Sequence, residues 1–322
     1  MKEITFINRN KKRWEAFEKG AQSQQSPDSL ADQFIQITDD LSYARTFYPN
    51  SQVVAYLNKI ALKTHLEIYR NKREKTGRIK KLFVEEIPLV FASARKPLLI
   101  ALTVFLAAAA IGCISALTDE SFVRVILGDA YVDQTLENIE NGDPMAVYGK
   151  TDRSSMFVGI TFNNIRVSFI AFLFGLLTHF GTGMVLFQNG IMVGSFLTFF
   201  FQKNLLSTSV LAIMIHGTLE LSAISIAGGA GFLIANGMLF PGTYPRLYRF
   251  KHSVSQGAKI ILSLVPVFVM AGFLESFVTR YYQTIPMGIN LMIIGLSLAF
   301  IIWYFVIYPF QVEKRMQPKI SS

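Results

Sequence analysis

Apolar residues along this chain follow two patterns. Before residue 96 they recur at helical spacing among charged residues; beyond it they run together in stretches long enough to cross a bilayer. In the first region, Ser26-Pro27-Asp28 has the form of a helix start: a capping side chain, then a proline whose missing N–H costs nothing there. Leu30, Phe34, Ile37, Leu41 and Ala44 follow at spacings of four and three, one stripe of a helix. Pro49-Asn50-Ser51 breaks that helix, and Val54, Leu57, Ala61, His65 and Ile68 form a second stripe. Two short-linked amphipathic helices predict an antiparallel hairpin, with His65 a partly buried core histidine. Leu82–Phe91 then reads as an interfacial helix bent at Pro88.

The second region predicts membrane spans. A hydrocarbon core about 30 Å thick takes roughly 20 apolar residues as helix, because unpaired backbone groups cannot be left in lipid. Pro97–Leu117 meets that length without a charge. Residues 165–201 are too long for one span and long enough for two, with Gly181-Thr182-Gly183 as the turn. Ser209–Phe240 exceeds one span and predicts a broken or tilted helix; Ala258–Val278 and Met287–Pro309 complete six. Between the first two spans, Phe122, Val125, Ile126, Ala130, Val132, Leu136 and Ile139 recur among acids, one amphipathic helix that docks a partner or caps the bundle. The expected fold is all-α: a polytopic membrane helical bundle of about six spans with an N-terminal helical domain. Residues 1–96 form that domain, 97–310 the bundle with an external segment at 118–160, and 311–322 a tail.

Charge gives the direction. Residues 1–96 hold 18 Lys/Arg against 11 Asp/Glu, most of the net +9, and end in Lys72, Arg73, Lys75, Arg78, Lys80 and Lys81. Residues 118–155 hold eight acidic residues and only Arg124, Lys150 and Arg153 as bases. Arg246, Arg249, Lys251 and Lys259 follow the fourth span, and Lys314, Arg315 and Lys319 the last. The positive-inside rule then places both termini in the cytoplasm and the acidic segment outside. A basic balance beside so much hydrophobic length points to an anionic lipid surface, met at residues 72–81, rather than nucleic acid. The first 30 residues carry no apolar core segment, so no cleavable signal peptide is expected. The single Cys113 rules out an internal disulfide and a cysteine-based zinc site.

Candidate chemistry lies within the fourth span. His216 and Glu220 share one helix face, and polar groups at membrane depth are usually paired or functional. Three readings compete. As a structural pair, Glu220 accepts from His216 or from a neighbouring span through His179, Thr178 or Asn189. As a relay, the pair lines a polar path. As a metal or hydrolase site it needs a third ligand that HxxxE does not supply, so neither metal nor cofactor is expected. No P-loop, GxSxG elbow or paired aspartate motif is present, and no catalytic residue is assigned. Gly190 and Gly194, and Gly228, Gly229 and Gly231 after the pair, predict close helix approach around this polar centre.

With Asn163-Asn164-Ile165, Phe174-Gly175, Asn189-Gly190 with Gly194, His216-Gly217 with Glu220, Ala227-Gly228-Gly229-x-Gly231 and Pro241-Gly242, the chain resembles the stage II sporulation protein M family. Trp14, Leu41 with Ala44-Arg45, Leu57-Asn58 and His65 with Ile68-Tyr69 resemble its longer, non-sporulation branch. The resemblance implies a bacterial cytoplasmic (inner) membrane protein that organises a complex without catalysis, as sporulation members do with peptidoglycan-degrading partners. The long N-terminal region departs from the short sporulation form and favours a cytoplasmic partner for residues 1–96. The expected function is therefore a non-enzymatic scaffold linked to cell-envelope remodelling, with other membrane or envelope proteins as partners. A transporter or channel subunit using His216 and Glu220 is the alternative, and an intramembrane hydrolase the third.

Overall fold

A computed structural model describes residues 2–20, 27–68, 77–146 and 152–316. The described residues are helical throughout, without strands, and divide into two compact units, Met1–Arg78 and Ile79–Ser322.

The N-terminal unit packs α1 (Glu3–Gly20), α2 (Pro27–Phe47) and α3 (Gln52–Ile68) around one core. Phe6 and Trp14 of α1 join Ile37, Leu41 and Ala44 of α2 and Val53, Leu57, Ile60 and Ala61 of α3. The expected hairpin is thus completed by a third helix. Trp14 is 1% exposed, and its indole N–H donates to Asp40 Oδ2 at 2.7 Å. Arg13 donates to the same oxygen at 2.5 Å, so one carboxylate ties α1 to α2. His65 is a correction: it sits on the exposed face of α3, its ring against Phe34 rather than inside the core. The buried stripe of α3 runs through Val53, Leu57, Ile60, Ala61 and Thr64, so it turns His65 outward. Ser26, Tyr69 and Lys72, Arg73 and Lys75 of the basic run lie outside the described residues.

The second unit begins with α4 (Arg78–Lys81), a π segment Leu82–Glu86 and α5 (Ile87–Ser93). Ile87, Pro88, Val90 and Phe91 are buried in the main core, so this segment packs against the bundle. Then follow α6 (Arg95–Thr118), α7 (Glu120–Leu127), α8 (Asp129–Glu140), α9 (Arg153–Leu173), a 3₁₀ turn Phe174–Leu177, α10 (Thr178–Gln202) and α11 (Leu206–Leu239). Last come α12 (Arg246–Phe273), α13 (Met287–Ile302) and, after a π segment, α14 (Tyr308–Met316). Among the described residues, five helical runs are long and apolar enough to cross a membrane: Arg95–Thr118, Arg153–Gln202, Leu206–Leu239, Arg246–Tyr281 and Met287–Met316.

The Arg153–Gln202 run doubles back. Thr178 has φ 67°, and the Thr182 hydroxyl donates to the Ala171 carbonyl at 2.8 Å, as a reversal requires. The turn therefore lies at 174–178, not at Gly181-Thr182-Gly183; Gly181 instead lets α10 pack onto the Phe174 carbonyl, where a Cβ would sit at 2.5 Å. α9 also starts twelve residues before the predicted span, so the segment between α6 and α9 ends before Arg153. That segment is two helices, because Gly128 (φ 87°) separates α7 from α8. The start of α7 is capped: Asp119 accepts from the Ser121 hydroxyl and N–H, which hold its carboxyl below the usual range. Val123 and Val132 pack on Phe199, Phe200, Ala212 and Ile215, so both helices cap one end of the bundle. α11 is continuous over 34 residues rather than broken.

Contact register gives each helix its direction. Along α6 and α10 the neighbours rise together: Phe105 beside Gly190, Ala109 beside Gly194, then the Gln202 amide donating to the Ala116 carbonyl at 3.0 Å. These two helices run parallel. Ala171 and Gly175 both meet Gly231, while Ser253 of α12 meets Gly237 of α11, near the far end from the α7–α8 cap. At that same far end Arg95 pairs with Glu313, and Lys259 with Glu86 at 2.6 Å.

Two outcomes follow. Gly194→Val places carbon against the Ala109 carbonyl and within 2.8 Å of the Cys113 nitrogen, forcing α6 off α10. It should destabilise the purified protein by about 1–3 kcal/mol in detergent melts. Gly159→Val, with nothing within 4 Å of its Cβ, should leave the melting temperature within error. In the N-terminal unit, residues 1–78 expressed alone should be helical and unfold cooperatively, whereas Trp14→Ala should lose about 3–5 kcal/mol. Equal stability of the two in circular dichroism melts would contradict the three-helix core.

Candidate functional site

α11 carries His216 ten residues from its start, about 15 Å along the helix. Glu220 follows one turn later on the same face. α12 changes pitch where it comes alongside: after Phe273 it passes into a π segment, Leu274–Val278, and then a 3₁₀ turn, Thr279–Tyr281. Such widened turns re-aim side chains and concentrate at functional sites. Here Glu275 and Thr279 both meet His216. The His216 Nδ1 lies 3.1 Å from the Thr279 hydroxyl, and its Nε2 lies 3.9 Å from Glu275 Oε1.

His216, Glu220 and Glu275 each offer one atom such that all three lie within 4.8 Å of one another. His216 is 5% exposed, and the Glu275 side chain 13%. From α9, the buried Asn164 side chain approaches the Glu220 carboxylate. Among the described residues neither carboxylate makes an ion pair with a lysine or arginine. The cluster borders a cavity of about 340 Å³ whose other walls are apolar, with Met192 and Phe196 from α10, Ile213 from α11, and Ile126 and Tyr131 from the α7–α8 cap. Gly217 belongs to the same wall.

The pairing expected from the sequence is thus met in part. His216 and Glu220 come together, but their partners are Glu275, Thr279 and Asn164 rather than His179, Thr178 or Asn189. His179 hydrogen-bonds Asn236 at 2.9 Å, near the far end of the bundle. The Asn189 amide donates to the Val185 carbonyl of its own helix at 2.8 Å. Asn163 is exposed, whereas its neighbour Asn164 faces the site. Gly175, Gly190, Gly194, Gly228, Gly229 and Gly231 all sit at close helix approaches. Gly242, after Pro241, takes φ 64° in the turn that follows α11.

Glu275 escaped the sequence reading, although a signal existed. It is the sole carboxylate between residues 258 and 278, and a lone acid within an apolar span is itself a pointer to a site. Thr279 and the π segment had no signal. Chemically, an imidazole and two carboxylates facing one cavity can share a proton or hold a cation.

Residues 4–70 match a domain of unknown function, DUF8413. No curated protein and no solved structure matches the chain. Residues 101–280, from the first long apolar helix through the π segment and Thr279, match the family described as stage II sporulation protein M. That match covers more than half of the sequence and contains His216, Glu220, Glu275 and Asn164 together with the glycine contacts that surround them. The chain belongs to the stage II sporulation protein M family.

Proposed function

We propose that this protein is a non-enzymatic scaffold in a complex of the cytoplasmic membrane, linked to cell-envelope remodelling, with both termini in the cytoplasm. The observation that carries the scaffold reading is the closure of the bundle on the side of the polar cluster away from the α7–α8 cap. Gly231 packs onto Gly175, Ala171 and Thr182, and Gly228 onto Leu186, so backbone and aliphatic contacts fill the space that a continuous polar path would need. A rigid bundle with apolar outer faces suits assembly with other membrane proteins. Leu291, Met292, Leu296, Leu298, Ile302 and Trp303 of the last long run are all exposed, surface for lipid or a partner helix.

Six crossings give the arrangement its sense. The reversal at 174–178 splits Arg153–Gln202 into two, and α9 and α10 then run in opposite directions. Counted so, Arg95, Lys96, Arg246, Arg249, Lys251, Lys259, Lys314 and Arg315 fall at one end of the bundle, and the acidic α7–α8 segment at the other. That is the positive-inside distribution for cytoplasmic termini. The N-terminal unit is then available to a cytoplasmic partner, and residues 72–81 to anionic lipid.

Reporter fusions should place residues 1–96, 245–255 and the C-terminus in the cytoplasm and residues 120–145 outside; a cytoplasmic signal from 120–145 would overturn the topology. Affinity purification from native membranes should recover other membrane or envelope proteins, and deletion of residues 1–70 should remove the cytoplasmic ones. Proteoliposomes of the purified chain should conduct no ions above protein-free vesicles. A flux abolished by Glu220→Gln would replace the scaffold with a transporter.

A further inference from the structure

We infer that His216, Glu220 and Glu275 form a binding site for one divalent transition-metal ion of the zinc class. The donor set is the first argument. One imidazole nitrogen and two carboxylate oxygens, from two helices, converge within 4.8 Å. Three protein ligands with a remaining position open to a cavity is the pattern of zinc sites that keep an exchangeable ligand. Here the open position faces the cavity of about 340 Å³ beneath α7 and α8.

The orientation of His216 is the second. A ligating histidine typically fixes its other ring nitrogen through a hydrogen bond, which sets tautomer and ring plane. His216 Nδ1 meets the Thr279 hydroxyl at 3.1 Å, leaving Nε2 directed at Glu275. The Nε2–Oε1 separation of 3.9 Å exceeds a hydrogen bond. A tetrahedral ion about 2.0–2.2 Å from each ligand would hold the two atoms roughly 3.4 Å apart. Binding therefore draws His216 and Glu275 together by about half an ångström, and a pair at the 4.8 Å limit by about 1.4 Å, which side-chain rotation supplies.

Charge is the third. Two carboxylates side by side in an apolar bundle repel each other and lose hydration, and a divalent ion offsets both effects. Asn164, 5% exposed, approaches Glu220 from α9 and can support that carboxylate as a ligand from outside the donor set. An imidazole in the donor set selects zinc, manganese or iron(II) over magnesium and calcium, which prefer all-oxygen shells.

The test uses the full-length protein in detergent, stripped with chelator and dialysed against Zn²⁺. Wild type and the exposed-histidine control His252→Ala should each take up one Zn²⁺ per chain. His216→Ala, Glu220→Gln and Glu275→Gln should weaken binding by at least about tenfold. Excess Mg²⁺ or Ca²⁺ should not displace the ion. Because a variant could fail to fold, two wild-type measurements stand beside them. Zn²⁺ should raise the melting temperature progressively with its concentration, and Co²⁺ should give a d–d absorption spectrum that Zn²⁺ abolishes. Wild type that takes up no more Zn²⁺ than these three variants, with no shift in melting temperature, would overturn the site while leaving the scaffold reading intact.

Discussion

Two carboxylates and an imidazole occupy one interior space in a bundle whose outer faces are apolar, and that juxtaposition constrains the elements around it. An ionised or hydrogen-bonding group at membrane depth costs several kcal/mol unless it is paired, so three helices must present their partners in register. α11 supplies His216 and Glu220 one turn apart, and α9 brings Asn164 to Glu220. α12 reaches the same point by widening into the π segment that carries Glu275, with Thr279 one turn beyond. A regular α-helix continued through Leu274–Val278 would carry a different face to His216. The local departure from regular geometry is tied to the polar cluster.

Holding that register falls to small residues. Lipid offers no hydrophobic drive between helices, so association relies on close packing and on polar contacts. α6 and α10 meet at Gly190 and Gly194, α9 and the 3₁₀ turn after it meet α11 at Gly231, and α11 and α12 meet at Gly237. At each point a Cβ would strike a neighbouring backbone or side chain. The α7–α8 cap completes the arrangement at one end: Val123 and Val132 bury against Phe199 and Phe200, and Tyr131 closes the cavity beside the cluster.

Long apolar runs made the helical membrane-type fold legible, because a span must be continuous in sequence to satisfy its own backbone. The turn between α9 and α10 was misplaced since glycines serve two purposes. Gly181 allows a close approach, while the chain reverses at Thr178, a residue with no turn signature. α1 went unread for a related reason. Its contribution to the core, Trp14 and Phe6, becomes visible only once Asp40 and Tyr43 are brought beside it. Half of the polar site could be read because His216 and Glu220 are four residues apart. Glu275 lies far along the chain, and only the antiparallel packing of α12 on α11 joins it to them.

The account stands on Glu220 and Glu275 acting as one unit rather than as separate polar residues on separate helices. A double-substitution cycle tests this directly, with Glu220→Leu, Glu275→Leu and the combined variant melted in the same detergent. If the cluster is one unit, each single change leaves the remaining groups without their partner and should cost about 1–3 kcal/mol. The combined change should then differ from the sum by more than about 0.5 kcal/mol. Strict additivity of the two substitutions would show that the carboxylates act independently, and would contradict the account.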